Sequence, residues 1–322
     1  MLYYIHKKEL HREEDLHLHF NEFLRSCRES TNLTQDELVS ELYYYDDSFA
    51  SLDGSMLSKW ERGVVKPIAS KQVTILKYFQ DKTQLALPCW SDYSIEESEE
   101  KICKVGMKNL LGKSKELILN FPEKMIGTDD LHVLQLRNSD MIDKIINIDL
   151  DKGFNHKFTD LLPEHFKEWA QHPSNSFFFC EYKSQFFGLL FTLRLKPDTF
   201  EKIMDLEIKE KDLTENDLAS FDEMGSNYII SFFAMNEKVA SILFIRYYAH
   251  LIANQKNIAE VGFATMMDDV RKLSSKMNFK KHAAKALENG LTLETYRNAL
   301  PNFFATEDVM KMILSKQDCP EA

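Results

Sequence analysis

The chain has 322 residues, about twice the usual domain length, so two domains are expected. Hydrophobic residues make up 44% and charged residues 28%, with only 10 Gly and 8 Pro, which excludes collagen-like or disordered chains and a core-poor disulfide miniprotein. A net charge of −11 argues against a protein that coats nucleic acid indiscriminately, though it leaves room for a small basic footprint.

At the N-terminal end, Lys7, Lys8, Arg12 and Glu13 precede no apolar segment, so no signal peptide is expected. His6, His11, His17 and His19 cluster there without a Cys or paired acid and read as solvated side chains. Residues 16–27 set Leu16, Phe20, Phe23, Leu24 and Cys27 on one helical stripe. A second helix opens at Thr34-Gln35-Asp36-Glu37, a capping box in which Thr34 caps and Glu37 reaches back, with Leu38, Leu42 and Tyr43 on its apolar face. The stretch Asp46 to Gly54 is polar and small. A short helix follows with Leu57 and Trp60 inward, and Gly63 stops it. Beyond Pro67 another helix carries Val73, Leu76 and Phe79. Between 59 and 82, Lys59, Arg62, Lys66, Lys71, Lys77 and Lys82 face only Glu61 and Asp81, a local basic excess in an acidic chain.

Residues 91–100 are rich in acid, and 101–121 read as an amphipathic linker helix. After 130 the pattern changes to short aromatic runs. Phe177 to Tyr182 and Phe186 to Leu195 flank Lys183-Ser184-Gln185 and predict a hairpin. Tyr228 to Ala234 reads as a strand feeding a helix through Val239, Leu243, Tyr247 and His250. Ile258 to Ala264 reads as a strand and Met267 to Met277 as a helix, which together argue for an α/β or α+β domain. The five cysteines (Cys27, Cys89, Cys103, Cys180 and Cys319) are scattered with no Cys-x-x-Cys spacing, so neither structural zinc nor a disulfide framework is expected. No apolar run approaches the roughly 18 residues of a membrane span. A cytoplasmic protein with no membrane partner is expected.

Ser58-Lys59-Trp60-Glu61-Arg62-Gly63, followed by Pro67, resembles the end of the recognition helix in the Cro/lambda-repressor-like (XRE) helix-turn-helix family. Leu33-Thr34-Gln35-Asp36-Glu37-Leu38 resembles that family's second-helix opening. The resemblance spans roughly residues 16–82. It implies base readers at the start of the third helix, where Asp53, Gly54, Ser55, Ser58 and Lys59 stand, and phosphate contacts from Thr34, Gln35, Arg62 and Lys66. Glu61 reads as an intradomain partner for a basic side chain. Between Leu38 and Leu57 the chain is longer than the compact family pattern, which lengthens helix two or enlarges the turn.

From Tyr228 to His282 the order of elements resembles the closing half of a GNAT acyltransferase fold. In that family a glycine-rich turn holds the pyrophosphate of acetyl-CoA at a helix N-terminus. The turn falls at Met235-Asn236-Glu237-Lys238-Val239-Ala240, where Met235 stands for the usual Arg or Gln and Lys238 for the first glycine. The usual Tyr acid and the Gly before the final Phe fall at Ser274 and Asn278. The expectation is therefore a multidomain chain with an all-α helix-turn-helix domain at 1–87 and a linker helix region at 88–129. A GNAT-like α/β domain with a mixed sheet occupies 130–322. Its expected role is a transcriptional regulator that binds a double-stranded DNA operator as a homodimer. Phe178, Phe187, Phe233, Met235 and Lys238 are candidates to line a pocket for an apolar or acyl-bearing effector. No catalytic residue, cofactor, metal or turnover is expected; the alternatives are a DNA-tethered N-acyltransferase and an interaction module that binds no DNA.

Overall fold

The computed structural model describes residues 20–83, 131–137, 142 and 161–306. These residues fall into two compact units, a helical one ending before residue 94 and a sheet-based one after it. The linker helix expected over 101–121 and the histidines before residue 20 lie outside the described residues.

Four helices build the first unit: α1 (Phe20–Ser30), α2 (Gln35–Tyr45), α3 (Gly54–Glu61) and α4 (Ala69–Thr83). Local chemistry starts and stops them. The Thr34 hydroxyl accepts from the Glu37 amide and the Glu37 carboxylate accepts from the Thr34 amide, which closes the capping box on α2. Asp53 caps α3 by accepting from the Met56 amide at 2.7 Å. Gly63 follows α3 at φ +69°, a left-handed geometry that favours glycine. The connection 46–53 contains a single 3₁₀ turn at Asp47–Phe49, so the extra length enlarges the turn. Phe49 of that turn is fully buried, as are Leu38, Leu42 and Leu57, with Trp60 and Leu76 nearly so. Each such apolar side chain contributes about 1.5–3 kcal/mol on leaving water.

The second unit is a seven-stranded sheet with strand order β1-β2-β3-β4-β5-β7-β6. Its strands are β1 (Leu131–Gln135), β2 (Ser176–Tyr182), β3 (Gln185–Leu195), β4 (Gly225–Ala234), β5 (Ile258–Thr265), β6 (Lys280–Ala286) and β7 (Thr292–Ala299). Every neighbouring pair is antiparallel except β4 and β5, which are parallel. A parallel pair needs a long crossover, and α7 (Glu237–Ala253) supplies it. The remaining helices are α5 (Pro163–Gln171), α6 (Pro197–Met204), α8 (Asp268–Lys276) and α9 (Leu300–Phe304). The predicted hairpin is present, and Lys183 and Ser184 take φ +49° and +61°, the backbone of a two-residue type I′ turn. Sequence periodicity missed β1, α5, α6, β6, β7 and α9, and Tyr43, expected on the apolar face of α2, is exposed.

Strand alternation sorts the side chains onto two faces. One face packs Phe177, Phe179, Leu189, Phe191, Leu193, Tyr228 and Phe233 against Phe166 and Trp169 of α5 and Phe200 and Ile203 of α6. Phe177 and Phe191 stack with centroids 4.4 Å apart. The other face carries Leu190, Phe232 and Ala234 beneath α7, where Phe232 meets Phe244 at 4.8 Å. Gly188 is required here: a Cβ would lie 2.8 Å from both the Phe233 carbonyl and Val239 of α7. Among the described residues no helix is long and apolar enough to cross a membrane.

Candidate functional site

In the helical unit, Glu61 ties three helices together. Its buried carboxylate accepts from Arg28 of α1 at 2.5 Å and from the Gln35 side chain of α2 at 2.7 Å. Arg25 donates to its main-chain carbonyl at 2.9 Å. The hydrogen bond to Glu61 holds the Arg28 guanidinium above its ordinary pKa. Gln35 is therefore engaged inside the unit, while Thr34 is exposed at the start of α2. Gly54 sits where a Cβ would lie 2.7 Å from the Asp36 carboxylate, so glycine lets the start of α3 approach α2. Asp53, Ser55, Arg62 and Lys66 are exposed, and Gly54, Ser58 and Lys59 are half-buried. Lys71 stands over the rings of Phe49 and Trp60 at 5.7 and 5.9 Å, which gives it a packing role.

In the sheet unit, the β4–β5 ladder runs from Gly225 opposite Ile258 to Ile229 opposite Phe263 and ends there, while both strands continue. The same level carries an irregularity: Ile229 pairs Thr192 and Ser231 pairs Phe191, which leaves Ile230 as the extra residue of a bulge. The two strands, whose register also shifts between Gly225 and Asn227, thus have no paired residues beyond the bulge. Helix α7 begins at this mouth. Asn236 caps it, accepting from the Val239 amide at 2.9 Å, so the third amide of the helix is committed to the protein's own side chain. Met235 is half-buried beside the mouth, its amide donating to the Phe187 carbonyl at 2.8 Å. Phe187 is the extra residue of a second bulge, between the Cys180–Gly188 and Glu181–Phe186 pairs. Phe186, half-buried, stacks on Phe179 and on Phe233 at 6.2 and 5.9 Å.

The candidate pocket residues do not share one wall. Phe178 pairs Leu190 and points toward α7, whereas Phe233 pairs Leu189 and belongs to the opposite core. Phe178 lies 6.5 Å from His250 near the far end of α7. Lys238 is half-buried in the first turn of α7. Phe186, named by sequence only within an aromatic run, is the residue that joins Phe233 to the mouth.

Where β5 ends, Thr265 pairs Glu294 of β7. Glu294 accepts from Lys281 at 2.5 Å and from the Tyr296 hydroxyl at 2.6 Å, and pairs with Arg271 of α8 at 3.1 Å. Lys281 first and Tyr296 second hold its carboxyl below the ordinary range, while burial and Glu294 push the Tyr296 phenol up to about 12. Glu294 is thus a hub of structural bonds and a poor proton acceptor. The Ser274 hydroxyl is buried and donates to the Arg271 carbonyl at 2.6 Å. Asn278 takes φ +59°, a left-handed backbone that Asn adopts more readily than other non-glycine residues. Glu201, Asp205 and His282 could gather around a cation, but both Glu201 oxygens accept from Arg297 and His282 lies 2.7 Å from Asp205.

No protein-family profile matches this chain, and no curated protein matches its sequence. Solved structures do match the sheet-containing half. An N-acyl amino acid synthase from uncultured soil microbes is 13% identical, with a TM-score of 0.38 over 55% of this chain and 93% of its own. A mosquito arylalkylamine N-acetyltransferase-like protein is 10% identical, with a TM-score of 0.35 over 53% and 100%. A GNAT-family acetyltransferase from Listeria monocytogenes is 10% identical, with a TM-score of 0.32 over 53% and 95%. The C-terminal region therefore resembles the GNAT acyltransferase fold, in a mixed sheet of seven strands. The expectation of a domain without turnover is corrected here, since the neighbours are named as N-acyl- and N-acetyltransferases.

Proposed function

We propose that this chain is an N-acyltransferase that its helical unit tethers to double-stranded DNA. The observation that carries the enzymatic reading is the parting of β4 and β5 at the mouth where α7 begins. In open α/β sheets ligands bind beyond the carboxyl ends of parallel strands. A strand edge that continues past its ladder supplies main-chain groups for the amides of an extended thioester arm, as in strand addition. The half-buried Phe186 and Met235 give the mouth an apolar wall, which suits a donor with an apolar acyl chain. In the reaction an amine attacks the thioester carbonyl; the C–N bond forms, the C–S bond breaks, and the thiolate takes the proton lost by the amine. Ser274 is committed to a carbonyl and Glu294 to cations, so neither is assigned the proton transfer.

Thiol release from acyl-CoA and acyl-pantetheine thioesters of increasing chain length, with a panel of amines, tests this reading. Turnover that rises with chain length and falls at least about tenfold in Met235→Glu is expected, roughly the loss of one good transition-state contact. No thiol release with any donor and amine sinks it.

The tether rests on Glu61, which fixes α3 against α1 and α2 while Ser55, Arg62 and Lys66 stay exposed. Ser55 and Lys59 are the proposed base readers, Arg62 and Lys66 the phosphate contacts, and a homodimer on a palindrome would multiply them. Ser55→Ala or Lys59→Ala should weaken binding to crosslink-recovered DNA by roughly 1–3 kcal/mol more than binding to random DNA. Equal losses on both would exclude base reading.

A further inference from the structure

Beneath the C-terminal half of α7, a layer of buried polar atoms lies at the paired end of β4–β5, away from the mouth. Arg194 on β3 has no exposed surface. Its Nη2 donates to the carbonyls of Asn257, Glu223 and Phe221 at 2.7, 2.9 and 3.4 Å. Among the described residues its Nε and Nη1 have no partner and no carboxylate pairs with it; Asp222 and Glu223 act on it only at longer range. Asn227 sits directly opposite on β4, buried, with neither its amide nitrogen nor its oxygen bonded. Thr192, two residues before Arg194 and so on the same face, has a buried unbonded hydroxyl. His250 of α7 shares the Phe221 ring with Arg194, at 6.4 and 6.0 Å, and its Nε2 is unbonded as well. Burial first, and then the charges of Arg194 and the more distant Arg137 side chain, push the imidazole down to about 4, so it is neutral at physiological pH.

A buried cation without a counter-charge is unfavourable, and buried donors without acceptors add to that. We infer that Arg194, Asn227, Thr192 and His250 form a site for one compact monovalent anion, chloride or a short carboxylate such as formate. Charge sets the valence: among the described residues Arg194 is the one fully buried cation, so a monoanion neutralises it and a dianion would leave buried negative charge. Size follows from the sheet, since directly opposed residues hold their Cβ atoms only about 5 Å apart. The bound anion would join α7 to β3 and β4 below the mouth. The assignment does not depend on the acyltransferase reading.

Thermal unfolding of the full chain at constant ionic strength tests it, with sodium gluconate replaced stepwise by chloride or by formate. The expected result is a saturable rise in the midpoint, as linkage requires of a ligand bound only by the folded state, and its loss in Arg194→Met. A response to chloride alone identifies a halide site, and a response to formate a carboxylate site. Should Arg194→Met fail to fold, excess broadening of the chloride NMR line by the wild type, narrowed by formate, replaces it. A wild-type midpoint indifferent to all three anions, or a chloride effect unchanged in Arg194→Met, assigns these donors to internal water and overturns the proposal.

Discussion

Glu61 in the helical unit and Arg194 in the sheet unit are both buried charges, and their surroundings are opposite. Around Glu61 the protein supplies the partners from two other helices: the Arg28 guanidinium and the Gln35 side-chain amide on its carboxylate, and Arg25 on its main-chain carbonyl. Around Arg194 it supplies three carbonyls on one nitrogen and leaves the other two donors unmatched. A fully answered charge specifies how elements pack, whereas a half-answered one marks a place where something else completes the structure.

Breaking the answered charge has the largest expected effect. Glu61→Ala strands Arg28, whose side chain is 14% exposed, and should cost the helical unit about 3–5 kcal/mol. Urea unfolding followed by circular dichroism reads this as an earlier first transition; an unshifted midpoint would remove Glu61 from its organising role. In the sheet unit the comparable contact is steric. Gly188→Ala drives a methyl into the Phe233 carbonyl and Val239, with an expected loss of about 1–3 kcal/mol and a larger fall in thiol release, because the start of α7 moves. Unaltered stability and activity together would show that α7 can shift freely.

Two smaller effects sharpen the contrast. Glu41 is paired with Lys82 and Tyr78, and Lys82 first, then Tyr78, holds its carboxyl below the ordinary value of 4.5. A carboxyl lower in the folded than in the unfolded state contributes fully above the unfolded value and loses that contribution as the pH falls through the folded value. Since the pair is partly exposed, it is worth at most about 1 kcal/mol. Acid titration of stability should be shallower below pH 4.5 in Glu41→Gln than in the wild type; parallel curves would remove this pair from the account. The smallest change is Ser184→Gly. It relieves a left-handed serine in the β2–β3 turn and should raise the sheet unit's midpoint by about 0.5 kcal/mol, after the added chain entropy of glycine is set against the strain.

Much of the helical unit was legible in the sequence because its signals are local. A capping box spans four residues, a stripe such as Val73, Leu76 and Phe79 spans two turns, and both appear where periodicity places them. The β2–β3 hairpin was legible for the same reason. Strand β6 was not: Lys280 to Ala286 is mostly exposed and lacks alternation, and it is a strand only because β7 pairs with it. Phe49 was hidden in a polar stretch and proved to be fully buried in the enlarged turn.

The candidate site divides along the same line. By itself the sequence determined the Thr34 cap and the identities of Met235, Lys238, Ser274 and Asn278 in and beyond the turn before α7, since each depends on neighbours a few residues away. Only the tertiary structure decided that β4 and β5 part after Ile229 and Phe263, that Phe178 and Phe233 face opposite ways, and that Arg194 meets Asn227 without a counter-charge. Those facts depend on strand register, and register is set by hydrogen bonds and packing between segments distant along the chain. A one-residue bulge such as Ile230 is enough to redirect every side chain that follows.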